Sequence, residues 1–461
     1  MPQNFIRSDA DQSFLLPPDV RDWLAPEDLA WCVRDVVATL DLGAFYNAYR
    51  GNGQGRAAFD PAMMVAVFIY SHAVGVRSSR AMERHCQRDV AFRVLTGNLQ
   101  PDHATIARFF TRHRDALEGL FSQALGLCHA AGMVRLGEIA IDGTKVAANA
   151  SWSANHTEAA LGHQVDEAQA RFDALSAALL AEQAATDAAE DAAFGAARGD
   201  ELPAALRNPA QRLERLTAAK ERLVADRERA VAEQAAKKAA WRVRKAAGGR
   251  AGGEPNDAPP GPASGKAPRA NTTDPDSRAM RTKNTLVQGY NAQAAVTDDQ
   301  VIVGALLTQN PTDHHLLHPV LQATRAQLVA AGVDPALSTV LADAGYASED
   351  AFTRAEADDL HLLAPVVSDQ RRALGEDPAG SRDLTRAPAT ARAQHKLWTV
   401  QGRSHYAQRG RTVEPVFGQL KDRQGLRQFS RRGLANVTTE WNFACTVHNI
   451  RKLHKHRLAG G

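Results

Sequence analysis

Cysteine is scarce in this chain. Cys32, Cys86, Cys128 and Cys445 are the four in 461 residues, and no two of them form a C-x-x-C pair. That spacing excludes a zinc knuckle or a disulfide framework and points to a reducing compartment. The four read most simply as buried thiols. Long apolar runs are also missing. The most apolar stretch, Met63 to Val76, contains Ser71 and His72 and is too short to span a bilayer. Residues 1–12 are polar and carry no apolar signal-peptide core. No membrane partner is therefore expected, and the chain reads as cytoplasmic. Net charge is small, at +3, but it is unevenly spread. Residues 401–461 hold twelve Lys and Arg against three acids, about +9, which leaves the rest net negative. Such a segment is either a solvated basic face or the electrostatic footprint of a nucleic-acid binder.

A length of 461 residues exceeds one compact core, so two or three domains are expected. Residues 14–135 read as all-helical. Pro26-Glu27-Asp28 opens a helix to Leu40, and Asp60-Pro61 caps one that runs to about Val74. Short helices follow over Ser78 to Cys86, Asp89 to Thr96 and Asp102 to His113, and a longer one ends at Gly132. Arg77, Arg80, Arg84, Arg88, Arg93, Arg108, Arg112 and Arg114 decorate them. Short helices with exposed arginines are compatible with a helix-turn-helix DNA-binding module, and equally with a small helical domain that touches no DNA.

Glu138 to Val146 is the first convincing strand, with Asp142-Gly143 inside it either as a hairpin turn or as a carboxylate shown at a sheet edge. From about Ser153 to Ala247 the composition shifts to Ala, Glu, Gln, Lys and Arg. Val165, Phe172, Leu175 and Leu179 form one stripe, and Leu213, Leu216, Leu223, Val224 and Val231 another, with Gly199 and Pro203 between. This predicts an antiparallel helical hairpin that protrudes as a coiled coil. A Gly/Pro/Ala-rich flexible linker follows, within residues 248–274. Strands are expected over Leu286 to Thr297, Val301 to Thr308, Leu337 to Leu341 and Leu360 to Pro365. Helices are expected over Thr312 to Ala331, Ser348 to Asp359 and Ala435 to His456, with Ser368 to Lys396 as loop.

The stretch Tyr406 to Lys421 holds one carboxylate, Glu414, among Arg409, Arg411, Lys421 and Arg423. Pro415 suits a helix's first turn, and Val413, Val416, Phe417 and Leu420 make a buried stripe. With the insertion removed, three acids stand out: Asp142 on the first strand, Asp343 after the fourth and Glu414 on the late helix. Acids at strand ends of an α/β sheet can converge there. Three carboxylates with no His or Cys nearby suit hard cations, Mg²⁺ or Mn²⁺. Two such ions about 3.5–4 Å apart support phosphodiester chemistry. Asp313, Asp274 and Asp276 are rival or accessory acids, with Asp343 favoured because it directly follows a buried strand.

On Ile141-Asp142-Gly143-Thr144, Ala342-Asp343-Ala344-Gly345-Tyr346 and Tyr406 to Lys421, the chain resembles bacterial insertion-sequence transposases of the DDE type. It is similar to the insertion-sequence-four-like superfamily. The resemblance covers about residues 10–150 and 275–455 and leaves the insertion outside. It implies an α/β ribonuclease-H-like catalytic domain (136–152 and 275–461), an all-α N-terminal DNA-binding domain (1–135) and a helical coiled-coil insertion (153–247). Asp142, Asp343 and Glu414 are then the catalytic metal ligands, for two ions of Mg²⁺ or Mn²⁺. The family's Tyr-Arg-Glu-Lys signature has two, three and six residues between its members. Here Tyr406 to Arg409 keeps two and Glu414 to Lys421 keeps six, but Arg409 to Glu414 has four. Tyr406, Arg409 and Lys421 are implied DNA contacts, with Arg411 as the alternative arginine. The implied partners are the element's terminal inverted repeats and target DNA, bound by a homodimer in the bacterial cytoplasm or nucleoid. A Mg²⁺-dependent nuclease that does not join ends and a non-catalytic DNA-binding protein are the alternative functions.

Overall fold

The computed structural model describes residues 20–49, 57–190, 204–246, 253–256, 268–282, 285–366 and 387–460. Seven helices come first: α1 (Leu29–Thr39), α2 (Gly43–Tyr46), α3 (Pro61–Ala73), α4 (Ser79–Arg88), α5 (Val90–Thr96), α6 (His103–Arg112) and α7 (Arg114–Ala130). Asp28, Asp60, Ser78, Asp89 and Asp102 each accept a first-turn N–H, so local side chains satisfy the orphan donors that start these helices. Gly97 and Gly132 end two of them with φ of +57° and +73°.

The sheet contains β1 (Glu138–Ala147), β4 (Arg278–Arg281), β5 (Leu286–Thr297), β6 (Ile302–Thr308), β7 (Thr339–Ala342) and β8 (His361–Leu363). β5 pairs antiparallel with β1 on one side and with both β4 and β6 on the other. β1, β7 and β8 run parallel. The connection β6 to β7 passes through α10 (Leu317–Ala330), and β7 to β8 through α11 (Glu349–Ala357), as the parallel pairing of β7 and β8 requires. α10 lies against β6, where a Cβ on Gly304 would come 1.9 Å from Thr324 Oγ1. Gly304→Ala is expected to cost about 1–3 kcal/mol by overpacking, seen as a lower midpoint in chemical denaturation.

α12 (Pro388–Trp398), α13 (Val400–Ala407), α14 (Arg409–Thr412), α15 (Glu414–Gly418) and a π turn (Gln419–Arg423) lead to α16 (Leu434–Gly460). α12 corrects the expectation of a loop through Lys396. Ala389, Ala393 and Leu397 are buried at four-residue spacing, and Glu349 accepts the N–H groups of Ala389 and Thr390 at 2.9 Å each. Two alanines gave too weak an apolar signal to read as a stripe. The remainder of that expected loop, up to residue 386, lies outside the described residues.

α16 joins the two halves. It packs on α1, α3, α7 and β6, and a single cluster of buried apolar residues runs from Ala30 to Leu453. Trp441, Cys445 and His448 are at a spacing that would suit one side of this helix. Instead every residue from Thr439 to Ile450 is buried, as a helix enclosed on all sides requires. His448 is buried, and its Nε2 lies 2.9 Å from Gln300 O. Burial, aided by nearby Lys452 and Arg451, lowers its pKa to about 4. An imidazole kept neutral in the fold contributes stability above the unfolded pKa near 6.5, lost as pH falls through the folded value. The unfolding free energy should therefore drop by about 3 kcal/mol between pH 7 and pH 4 from this group. His448→Gln should flatten that limb of a pH-stability curve.

The insertion is two long helices, α8 (Glu158–Glu190) and α9 (Ala204–Ala246), packed together over a small core of Leu161, Leu216, Ala219, Leu223 and Ala270. Leu175 and Val231, expected in the stripes, are exposed. Gly199 and Pro203 lie outside the described residues. At its base, β2 (Asn155–Thr157) pairs with β3 (Arg269–Asn271), and Arg222 on α9 holds Asp276 at 2.9 Å. The stretch expected to be flexible thus contains an ordered end: Asn271 and Asp274 are fully buried, and Asp274 accepts the Tyr290 hydroxyl at 2.9 Å. Among the described residues no helix is long and apolar enough to cross a membrane.

Candidate active site

Asp142 lies in the middle of β1. The parallel β1–β7 register ends at Ile141 opposite Ala342. The next residue on each strand is therefore an aspartate, Asp142 and Asp343, and the topology sets the two side by side. Asp343 closes β7 and accepts the N–H of Ala344 at 2.7 Å, starting the turn Ala344–Tyr346. Asp142 accepts the N–H of Gly143 at 2.8 Å.

Glu414 reaches this pair through an arginine. Arg409 lies 2.8 Å from Asp142 Oδ2 and 3.5 Å from Glu414 Oε1. Arg409 is buried, and its Nε has no acceptor. The Asp142 carboxyl is pushed up to about 6, first by burial and then by the charges of Asp343 and Asp313, against the opposing pull of Arg409 and the Gly143 N–H. Burial works against the Arg409 charge, but Asp142, Asp343 and Glu414 outweigh it and raise its pKa.

The donors are all carboxylate oxygens crowded by like charge, which is the chemistry a hard divalent cation relieves. Asp142 and Asp343 fit such an ion in donor type and in strand position. Glu414 is tied to Arg409 and its side chain is 60% exposed. Among the described residues no three His, Cys, Asp or Glu side chains are grouped closely enough to hold a metal. Arg409 supplies the counter-charge between Asp142 and Glu414.

The other expected site residues divide. Lys421 is half-buried and donates to Thr144 Oγ1, two residues beyond Asp142. Arg411 is exposed and faces a groove with Arg135, Glu138 and His405, at the start of β1, four residues before Asp142. Arg409, not Arg411, meets the acids. Tyr406 is 3% exposed, so it presents almost no surface to DNA in this conformation. Of the exposed arginines expected in the helical half, Arg77 is instead paired with buried Glu440. Asp274 and Asp276 brace the insertion and the start of α16, away from the pair, where Asp276 Oδ2 accepts the Leu434 N–H at 2.8 Å.

Sequence reasoning missed a polar network beside the pair. Asp313 Oδ1 accepts from Lys145 Nζ at 3.1 Å, Asn291 Nδ2 at 2.8 Å and Gln293 Nε2 at 2.9 Å. Gln293 Oε1 in turn accepts the Tyr346 hydroxyl. The available signal was Asn291 and Gln293, two polar residues two apart, hence on one face, within a strand long enough to be buried.

Two family models match the chain. One is described as Transposase domain (DUF772) and matches residues 19–112; the other is described as Transposase DDE domain and matches residues 380–454. The first covers α1 to α6, and the second runs from before α12 through most of α16 and includes Glu414 and Arg409. No curated protein and no solved structure matches the chain. With a transposase domain matched at one end and a transposase DDE domain matched over the segment that holds Arg409 and Glu414, the two matches support an insertion-sequence DDE transposase.

Proposed function

We propose that this transposase cleaves DNA at the ends of an insertion sequence and joins the freed 3′ ends to target DNA, in a ribonuclease-H-like domain of the insertion-sequence-four-like type. The observation that carries the proposal is the juxtaposition of Asp142 and Asp343 at adjacent parallel strands, with Glu414 drawn to them through Arg409. Asp142, Asp343 and Glu414 would hold Mg²⁺ or Mn²⁺, two ions in all. Bound there, such ions activate the attacking oxygen and stabilise the leaving oxygen.

The residues of the chain then do the rest. Water forms a new P–O bond at the element end, and the bond to the 3′ oxygen breaks. The freed 3′-hydroxyl next attacks a target phosphodiester, losing its proton as the target's own 3′ oxygen departs. Arg409, whose Nε lacks an acceptor, exchanges its carboxylates for a DNA phosphate, a bidentate partner of the kind guanidinium favours. Lys421 stands beside Thr144 to hold a neighbouring phosphate. Tyr406, buried on α13, and Arg411, exposed on α14, are the further signature residues proposed to meet the DNA. The helical N-terminal domain (1–135) and the basic surface of 401–461 supply the remaining DNA contacts, and a homodimer brings two ends together. The hairpin insertion (153–247), as a protruding coiled coil, aids end recognition or dimer contact.

The test uses the purified chain and oligonucleotides copied from the DNA that borders its gene. Mg²⁺-dependent cutting at the repeat, and joining of pre-cut ends to a plasmid, are the expected results. Cutting without joining would reduce the protein to a nuclease, and salt-sensitive binding with neither would leave a DNA-binding protein.

A further inference from the structure

Asp313 sits in the loop between β6 and α10, outside the three acids, yet it is joined to the elements that carry two of them. Its Oδ1 takes three donors. Lys145 comes from β1, three residues beyond Asp142, and Asn291 and Gln293 come from β5. Asn291 and Gln293 are fully buried. The same Gln293 amide receives the hydroxyl of Tyr346, which is buried and ends the turn that Asp343 begins. The path from Asp343 to Asp313 is therefore one turn, one hydroxyl and one amide.

Both flanking glycines record how closely this network lies over the strands. A Cβ on Gly143 would come 2.1 Å from Gln293 Nε2 and 2.8 Å from Asp313 Oδ1. A Cβ on Gly345 would sit 3.4 Å from the Cβ of Asp313. The Asp-Gly and Asp-Ala-Gly-Tyr sequences thus have a packing reason: a side chain after Asp142 would displace the Gln293 amide and the Asp313 carboxylate, and a Cβ at Gly345, in the turn after Asp343, would lie in van der Waals contact with Asp313. Within a buried polar network every member constrains the others, because each lost partner strands another in low dielectric.

We propose that Asp313 is a positioning residue of the acid site: through Gln293 and Tyr346 it holds the turn that carries Asp343, and through Lys145 the strand that carries Asp142. Divalent-cation binding then depends on an aspartate that acts through its neighbours. This rests on the reading of Asp142 and Asp343 as cation ligands.

Mn²⁺ affinity of the full chain, measured by titration calorimetry without DNA, tests it, with thermal melts run alongside. Asp313→Asn keeps the side chain's shape and removes its charge; Tyr346→Phe removes only the hydroxyl that reaches Gln293. Each variant should weaken Mn²⁺ binding about 10-fold or more, the usual effect of losing an outer partner of a ligand. The double variant should be little worse than the worse single, because both break one path. Melting transitions close to that of the wild type show that the loss is local. Wild-type affinity in both variants overturns the proposal. So does weakening by Asp313→Asn alone, which would make the carboxylate a direct participant by charge. A wild-type chain that binds no Mn²⁺ overturns the cation-site reading itself, and this inference with it.

Discussion

Replacing any one of the three acids is expected to abolish Mg²⁺-dependent cleavage while leaving DNA binding in place. Asp142→Asn, Asp343→Asn and Glu414→Gln each keep the side chain's volume and remove a hard anionic ligand. Cation stabilisation of the attacking and leaving oxygens supplies several kcal/mol, so cutting should fall at least about 10³-fold. Binding should change little, since phosphate contacts come from cations elsewhere. For Asp142 the direction of that small change is set by Arg409. Without its 2.8 Å partner the guanidinium is freed toward a phosphate, so Asp142→Asn should bind DNA as tightly as the wild type or more so. Gel-shift titration and a cleavage assay on the same preparations check both halves. Full cleavage by any one variant would remove that residue from the site.

The second large effect is on stability. Glu440→Ala should cost about 3–5 kcal/mol, the usual result of breaking a buried ion pair from one side. Glu440 is 2% exposed. It accepts Arg77 from the link between α3 and α4, the backbone N–H groups of Ser430 and Arg431, and the Ser430 hydroxyl. Burial alone would raise its pKa, but these donors, with Arg77 first, bring it below the usual carboxylate value. The carboxylate thus ties the helical half to the segment that leads from the DDE helices into α16. Arg431 also lies 4.1 Å from the centre of the Phe110 ring, across the same junction. Removing the acceptor strands a guanidinium and two N–H groups at once. A melt should shift down by roughly 10 °C. Arg77→Met with Glu440→Leu should recover most of the loss, because paired apolar replacements avoid the desolvation of both ions. If the double variant is as unstable as Glu440→Ala, the Ser430 and Arg431 contacts, not the ion pair, carry the effect.

Much of this fold is legible along the chain for local reasons. The caps at Asp28, Asp60, Ser78, Asp89 and Asp102 announce helices because an N-terminus needs acceptors that the next turn cannot supply. β5 runs from Leu286 to Thr297, as its composition predicts. The acids at 142, 343 and 414 are visible because each stands beside an apolar run that requires an element there. What escapes is whatever depends on partners distant in sequence. Asn291, Gln293 and Lys145 are unremarkable polar residues, and Asp313 only a rival acid, until the sheet closes and brings them together. Asp276 reads as a rival acid and Arg222 as one more helix cation, and their pairing is set only when the insertion docks.

The arginine of the signature shows where the division lies. On an ideal helix Arg409 and Glu414 would be about 140° apart and Arg411 and Glu414 about 60°, so local geometry favours Arg411. The helix is instead interrupted at Gln408 and Val413 and becomes a π turn at Gln419. Burial of Val413, Val416 and Leu420 fixes which way each short piece faces, and that turns Arg409 inward to Asp142 and Glu414. Sequence alone determined which charged residue types the chain offers to the candidate site, because the chemistry of a carboxylate or a guanidinium travels with the residue. Only the tertiary structure decided which of two arginines meets the acids, because facing is set by the packing of a broken helix and not by spacing.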